Sequence, residues 1–521
     1  MTSSRSWVLA GVVAGTTGLA TSYLAAKVLT IRETPLVAAA DLVVRLTPGP
    51  VAEWAIETLG PADKPVLMVS VVLVLLGSFA LAGWAWGLAW WRGVLAWLAV
   101  AGAGLLAVLL QRGAGMVETL PLAVGLVTTL VVTAGLGRAG RVPDGADPEK
   151  DGDLEGDGAG TRWRGGRRGL LLGLSVAAVV TVASTAIGRI IGNRKRAVQE
   201  SRRLLRIPGV TDRDAPARAR IGLEGVTSWR TPSEEFYRID TTLAVPTIDP
   251  GQWRLRIHGM VDREVVLTYD DLVTMELTEA WVTLNCVSNP VGGGLVGNAW
   301  WSGVRTATLL ELAGVQDGAD AVLQTSEDGW DCSTPLSAMT DERDAMVAVA
   351  MNGEPLTIEH GFPARTLVPG LYGYVSACKW VVDWEVTRFD RVEAFWTQRG
   401  WAEQGPVKIA SRIDVPAAGD SVPAGQVRVG GVAWHQHVGI SAVEVALDGG
   451  DWQEAEIASP KTDDTWVQWA ATVPVPEGEH VLRVRARGKD GAVQTGVRRD
   501  VVPDGATGWH TVEFTAAGPD D

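Results

Sequence analysis

The sequence predicts a multi-domain protein with an N-terminal all-α transmembrane bundle, an α+β middle domain and a C-terminal β-sandwich of immunoglobulin type. Three observations carry that reading. Apolar runs long enough to cross a bilayer recur through the first 137 residues, each near the ~20 residues a spanning helix needs. Short strand-like and helix-like segments then alternate over residues 205–405, the pattern of a mixed α+β fold. Finally, residues 406–521 hold short alternating strands at regular spacing with Gly-rich turns between them. A chain of 521 residues exceeds what one core organises, so separate domains are expected.

The first apolar run extends from Trp7 to Val28. Residues 32–65 mix Leu, Val and Ala with Arg32, Glu33, Asp41, Arg45, Glu53, Glu57 and Lys64, and Pro48 and Pro50 interrupt them. That segment is too charged to span and fits amphipathic helices at a membrane interface. Val66–Trp86, Val94–Leu110 and Val117–Leu136 complete a four-helix membrane region over residues 1–137. Trp84, Trp86, Trp90, Trp91 and Trp97 crowd the ends of two runs, where an aromatic belt belongs.

Residues 138–168 form an acidic, Pro/Gly-rich linker that ends in Arg162, Arg164, Arg167 and Arg168. A fifth apolar run occupies 169–192. Paired arginines before a moderately apolar segment suit a twin-arginine signal, which exports folded proteins; alternatively they only fix orientation as cytoplasmic positive charge. Both alternatives put the linker in the cytoplasm and the later residues outside. Arg189, Arg194, Lys195, Arg196, Arg202, Arg203 and Arg206 lie beyond that run and oppose such a topology on charge alone.

Strands are expected at Trp253–His258, Ala280–Asn285, Ala321–Thr325 and Met346–Met351, and helices at Tyr269–Met275, Ala307–Ala313 and Pro335–Ala338. In the C-terminal part the strands fall at Gln426–Ala433, Ala442–Leu447, Thr465–Val473 and Glu479–Arg487.

Composition narrows the chemistry. A formal net charge of −14 opposes a nucleic-acid partner, which would show a clustered basic face. The three cysteines, Cys286, Cys332 and Cys378, form no CxxC spacing, so haem, iron–sulfur and structural zinc sites are not expected, nor is a disulfide framework. Twenty-three tryptophans against six phenylalanines is an unusual balance, but they occur throughout and mark no site by themselves.

The stretch from Thr283 to Gly294 delivers Cys286 from a β-rich run into a turn containing Pro290, Gly292, Gly293 and Gly294. Glycines let backbone approach a bulky ligand closely, and a thiol there suits a soft metal ligand or a nucleophile. A buried structural cysteine beside a hairpin is the alternative from this stretch alone.

An ordered set of motifs extends the reading. Phe236-Tyr237-Arg238-Ile239-Asp240 comes first, then Cys286-x-x-Asn289, Trp301-x-Gly303-Val304, Asp328-Gly329 and Asn352-Gly353-Glu354-Pro355-Leu356. His360-Gly361-Phe362-Pro363-x-Arg365, Pro369-Gly370-x-x-Gly373 and Lys379-Trp380 follow. Together they resemble the molybdopterin domain of the sulfite oxidase superfamily, and the β-sandwich after it resembles that superfamily's dimerisation domain. The preceding spans resemble a membrane-anchored actinobacterial branch.

The resemblance implies a single-pterin molybdenum–molybdopterin cofactor with Cys286 as the metal's protein ligand. His360, Arg365 and Lys379 match phosphate- and pterin-binding positions; Arg forks onto phosphate oxygens and Lys acts as a point charge. Arg238 matches the Arg of an Arg-x-His pair in which Asp240 replaces the His. Asp328 and Asn289 are candidate supporting residues, although Asn289 equally suits a turn cap. Cys332 and Cys378 fit no motif and are expected in the core.

Two departures matter. Val291 stands where sulfite oxidases carry an arginine for the sulfite dianion, and Trp401 stands in the place of their active-site tyrosine. The implied protein is a membrane-anchored oxidoreductase of the cell membrane, its catalytic part extracytoplasmic, doing oxygen-atom transfer on a sulfoxide or other sulfur-type small molecule and not on sulfite itself. Its partners are a separate electron carrier and, through the C-terminal domain, a second copy. Two alternatives stay open: a non-catalytic, membrane-tethered β-sandwich binding or adhesion module, and a cysteine hydrolase with Cys286 as nucleophile and His360 as base.

Overall fold

The computed structural model describes residues 4–29, 31, 34–48, 51, 55, 58–59, 62–111, 115–139, 164–191, 194–242 and 245–518. Two compact units result, residues 1–197 with 242–244, and residues 198–241 with 245–521.

In the first unit, four helical stretches are long and apolar enough to cross a membrane: Ser6–Val28, Asp63–Leu88, Trp90–Leu109 and Val117–Leu136. The fifth run lies in the helix Arg164–Ile191, with a shorter apolar stretch, Gly173–Arg189. Small residues set the packing. A Cβ on Gly11 would meet Gly83 Cα at 2.6 Å, so only glycines allow those two helices so close. The outward faces expose Leu73, Val74, Leu81 and Val131.

Trp84, Trp90 and Trp91 are exposed, as a belt requires, but Trp97 is not. It packs on Phe79 with ring centroids 5.6 Å apart and belongs to the bundle core, because a long helix carries a ring set only a turn or two in from its end toward its neighbours. Within residues 32–65 lies the helix Pro35–Leu46, capped by the Thr34 hydroxyl, which accepts from Val37 N–H, with Pro35 at its first turn. Residues 140–163, most of the acidic linker, lie outside the described residues.

The second unit contains both the middle and the C-terminal parts. One mixed sheet runs Val265–Thr268, Arg254–Gly259, Val381–Thr387, Ala321–Ser326, Asp331–Pro335, with Arg254–Gly259 and Val381–Thr387 parallel. A second sheet runs Thr278–Asn285, Val296–Arg305, Met346–Met351, Glu354–Pro355, with Arg365–Leu367 also pairing Met346–Met351. Met346–Met351 is apolar at every position and buried at every position, which is the pattern of a strand covered on both faces.

The C-terminal part is β-rich. Ala410–Val415, Gly425–Trp434, Val467–Val475 and Glu456–Ile457 form one sheet. Ser421–Pro423, His510–Ala517, Gly478–Gly488, Ile440–Leu447 and Gln453–Glu454 form the other. The two enclose a shared core that includes Val429, Val443, Trp469, Leu482 and Phe514. Gly478–Gly488 alternates strictly, with His480, Leu482, Val484 and Ala486 turned inward, as a half-buried strand must.

The middle and C-terminal parts share a core as well, to which Val432, Trp434 and Trp466 contribute alongside Trp229, Trp281 and Trp300. Trp229 Nε1 donates to Trp466 O at 3.1 Å, and Trp466 Nε1 donates to Trp229 O at 2.9 Å. Both indoles are fully buried; Trp229 O also accepts from Asn298 Nδ2 at 2.8 Å, whereas Trp466 O relies on the Trp229 ring. Replacing Trp229 with Phe should therefore lower stability by ~1–3 kcal/mol, the cost of one stranded buried acceptor, read as a shifted denaturant midpoint for the full chain.

Candidate active site

Thr278–Asn285 is an edge strand of its sheet, and the C-terminal part covers its free edge. Thr283 N–H donates to Asp464 O at 2.9 Å, Gln436 Nε2 donates to Thr283 O at 3.3 Å and also to Asn285 Oδ1, and Trp466 N–H donates to the Thr283 hydroxyl at 2.8 Å. The strand is thus held on both sides as it delivers Cys286.

The turn that follows is closed by its own backbone. Cys286 N–H donates to Leu295 O, Asn289 N–H to Cys286 O and Gly293 N–H to Pro290 O. Asn289 Oδ1 accepts from Leu295 N–H at 2.9 Å, so Asn289 caps the turn. Gly292 has φ +80°, and a Cβ there would collide with the His510 ring at 2.2 Å. Arg412 braces the same turn by donating to Gly293 O at 3.0 Å. Cys286 itself is buried, with Sγ 2.9 Å from the Ser288 hydroxyl. Burial pushes its thiol above the usual value, with Ser288 partly opposing, so the sulfur is protonated unless a cation binds it.

The cationic residues gather around a second turn. Arg365 and Lys379 face each other across an antiparallel bridge, and Gly361, at φ +108°, lies so close that a Cβ would meet both side chains at 3.0 and 3.2 Å. Arg365 NH1 donates to His360 O at 3.3 Å and NH2 to Ala377 O at 3.4 Å, while its Nε is buried with no partner. No carboxylate pairs with Arg365 among the described residues. Burial brings its pKa down to about 10, which still leaves it charged at neutral pH.

Lys379 Nζ lies 3.0 Å from Asp240 Oδ2, and Arg238 Nε lies 3.0 Å from the same oxygen. Asp240 thus links the two cations where the family's pair carries a His. Burial lowers Lys379 to about 8 against the pull of Asp240. His360 Nδ1 meets the Thr357 hydroxyl at 2.7 Å and Nε2 faces Phe236 O at 3.2 Å. Burial, with Arg365 beside it, lowers His360 to about 4, and the ring is neutral. Both ring nitrogens being engaged by Thr357 and Phe236, His360 and Cys286 do not form the nucleophile–base pair of a cysteine hydrolase.

Burial raises the phenol of Tyr237, with Cys286 adding to the rise and Arg365 opposing it. Sequence reasoning passed over Tyr237 although it sits inside the Phe236–Asp240 motif.

Asp328 is in the turn between Ala321–Ser326 and Asp331–Pro335, where its Oδ1 accepts from Trp330 N–H at 3.1 Å. Trp401 packs with Tyr374 and Trp396 at 5.9 and 6.2 Å between ring centroids. Cys332 and Cys378 are both fully buried.

A buried guanidinium with an unpartnered N–H and no counter-ion fits an anionic ligand group, and a buried thiol at a glycine turn fits a soft metal, so these residues suit a molybdenum–pterin cofactor that carries a phosphate. Residues 242–396 match the family profile described as "Oxidoreductase molybdopterin binding domain". The fold and the donor set define a molybdopterin-binding oxidoreductase class.

Human mitochondrial sulfite oxidase is 29% identical over 317 residues, covering 50% of this chain and 56% of that protein. The uncharacterized oxidoreductase YuiH of Bacillus subtilis is 35% identical over 157 residues, covering 30% of this chain and 76% of YuiH. The solved structure of the sulfane dehydrogenase SoxCD from Paracoccus pantotrophus overlays 55% of this chain and 81% of that one, with 24% identity and a TM-score of 0.49. The chain belongs to the sulfite oxidase-type molybdopterin oxidoreductase superfamily. It spans about half the length of the sulfite oxidases it matches.

Because Lys379 loses its proton as pH rises through about 8, its attraction for an anionic group weakens on the alkaline side. Loading of cofactor-free protein with pterin should fall between about pH 7 and about pH 9. Lys379→Met should load poorly at both values and lose that dependence, read from pterin fluorescence after denaturation.

Proposed function

We propose that this protein is a membrane-anchored molybdenum oxidoreductase that transfers oxygen to or from a small molecule other than sulfite, outside the cytoplasm. The observation that carries the reading is Arg365, a fully enclosed cation without a carboxylate among the described residues, next to Lys379. A non-catalytic tethered module would leave that charge uncompensated, at a cost on the order of 3–5 kcal/mol, and no observation favours it.

In this reading Cys286 Sγ bonds the metal. Arg365 and Lys379 would hold the phosphate and pterin, with His360 shaping the turn between them and Arg238 and Asp240 adjusting the position of Lys379. When bound, the cofactor supplies two-electron oxygen exchange. The chain's own residues do the rest. The neutral His360 holds its turn through Thr357 and Phe236 without adding charge.

Val291, in place of an arginine, removes attraction for a dianion and favours a neutral substrate. Reduction is the favoured direction: a sulfoxide takes up two electrons and two protons and leaves as a sulfide and water. A separate carrier supplies the electrons. Asn289 serves the site by shaping the turn that holds Cys286. Asp328 and Trp401 are given no role in chemistry.

The exposed apolar helix faces support a bilayer location, since so much apolar surface is unfavourable in water. Arg167 and Arg168 open the helix that precedes the second unit and support its folded export. The β-rich C-terminal part is read as an immunoglobulin-type domain, with dimerisation carried over from the resemblance alone.

Replacing Cys286 with Ser should leave pterin bound while turnover falls by at least ~100-fold; full activity in that variant defeats the assignment. Changing Arg167 and Arg168 together to Lys should keep residues 198–521 on the cytoplasmic side, and protease accessibility in intact cells and in inside-out vesicles reads the outcome.

A further inference from the structure

The basic residues that follow the fifth apolar run take no part in the cofactor site. Arg194, Lys195, Arg196, Arg202, Arg203 and Arg206 stand against the single acid Glu200, a local charge of +5 in a chain of net charge −14.

Most of them lie on the helix Arg194–Leu204, and from Val198 onward one face of that helix is fixed to the second unit. Val198 is buried in the cluster that holds Phe236, Leu284 and Trp301, and Leu205 packs on the same cluster. Between them Arg202 donates from NH1 to Pro355 O at 2.7 Å. Positions 198, 202 and 205 recur at helical spacing, so the opposite face is turned outward. Arg203 and Leu204 are exposed there, Leu204 at 75%, and Arg206 is exposed just beyond. Arg206 NH1 donates to Arg203 O at 3.1 Å and to Leu205 O at 3.2 Å, which holds a cation where the helix C-terminus favours one. No carboxylate pairs with Arg202, Arg203 or Arg206 among the described residues.

A docked helix thus presents guanidinium groups beside an exposed leucine. Like charges gathered this closely repel one another, and the leucine gains nothing from water. A surface that is anionic outside and apolar just beneath relieves both costs. Residue 194 follows the apolar stretch Gly173–Arg189 by five residues, a reach of at most roughly 18 Å, so the surface of the bilayer around that stretch is within range. The acidic linker of residues 138–168 has the matching charge, but it precedes the same helix, and a helix crossing the bilayer keeps it on the other side.

We propose that residues 194–206 bind the anionic phospholipid headgroups of the leaflet that faces the second unit. Arg203 and Arg206 take lipid phosphate groups, and Leu204 enters the headgroup region between them. The proposal rests on the membrane-anchored reading above and deepens it. Headgroup binding also gives these basic residues a role beyond the last span, where charge-directed orientation alone would not put them.

The test places the full chain in nanodiscs of phosphatidylcholine alone, or of phosphatidylcholine with an equal part of phosphatidylglycerol. The reporter is Leu204→Cys carrying a bimane, the native cysteines being buried. Lipids brominated near the carbonyl end of their acyl chains should quench it at least ~2-fold more with phosphatidylglycerol present. High salt, which screens exposed charges, should abolish the difference. So should Arg203→Gln with Arg206→Gln, at an unchanged denaturant midpoint, because both side chains are on the surface. Equal quenching in the two kinds of nanodisc, no quenching in either, or a difference that survives in the double variant overturns the proposal. A chain that stays soluble without detergent and enters no nanodisc defeats the membrane-anchored reading, and this proposal with it.

Discussion

An edge strand that cannot be left open is the constraint from which the site follows. Thr278–Asn285 pairs on one side only within its sheet, and unpaired backbone groups on a buried edge are costly. Asp464, Gln436 and Trp466 complete that edge from the C-terminal part. Arg412 and His510 then press on the turn that begins at Cys286. The thiol is positioned by two parts of the chain at once, and the C-terminal part acts as a wall of the site.

Electrostatics divides the site into two ends. Arg365 and Lys379 make one end cationic, tempered by Asp240, which holds Lys379 and Arg238 together. The Cys286 turn at the other end carries no cation of its own, with Val291 in the turn. This polarity suits a charged cofactor tail and an uncharged substrate, each where desolvation costs it least.

Much of the fold was legible because the relevant signals are local. Met346–Met351 reads as a buried strand from six apolar residues in a row, and Tyr269–Thr274 reads as a helix that Thr268 and Asp271 cap reciprocally. The apolar runs of the first unit are equally plain, since length and hydropathy need no partner. Trp97 escaped that logic: an indole at a belt and an indole in a helix bundle look alike until the neighbouring helix supplies Phe79.

By itself the sequence determined the order of motifs, the cysteine at a strand end, and the Arg–Lys–His set that marks the superfamily, because each is carried by a few consecutive residues whose chemistry does not depend on the rest of the chain. Only the tertiary structure decided that Asn289 caps the cysteine turn, that Arg412 and His510 press on it, and that Asp240 joins Lys379 to Arg238. Those outcomes depend on which side chains are brought together across hundreds of residues, as Trp229 is with Trp466 and Thr283 with Asp464. Such pairings are set by the competition among all buried donors, acceptors and apolar surfaces at once, which local spacing along a chain does not encode.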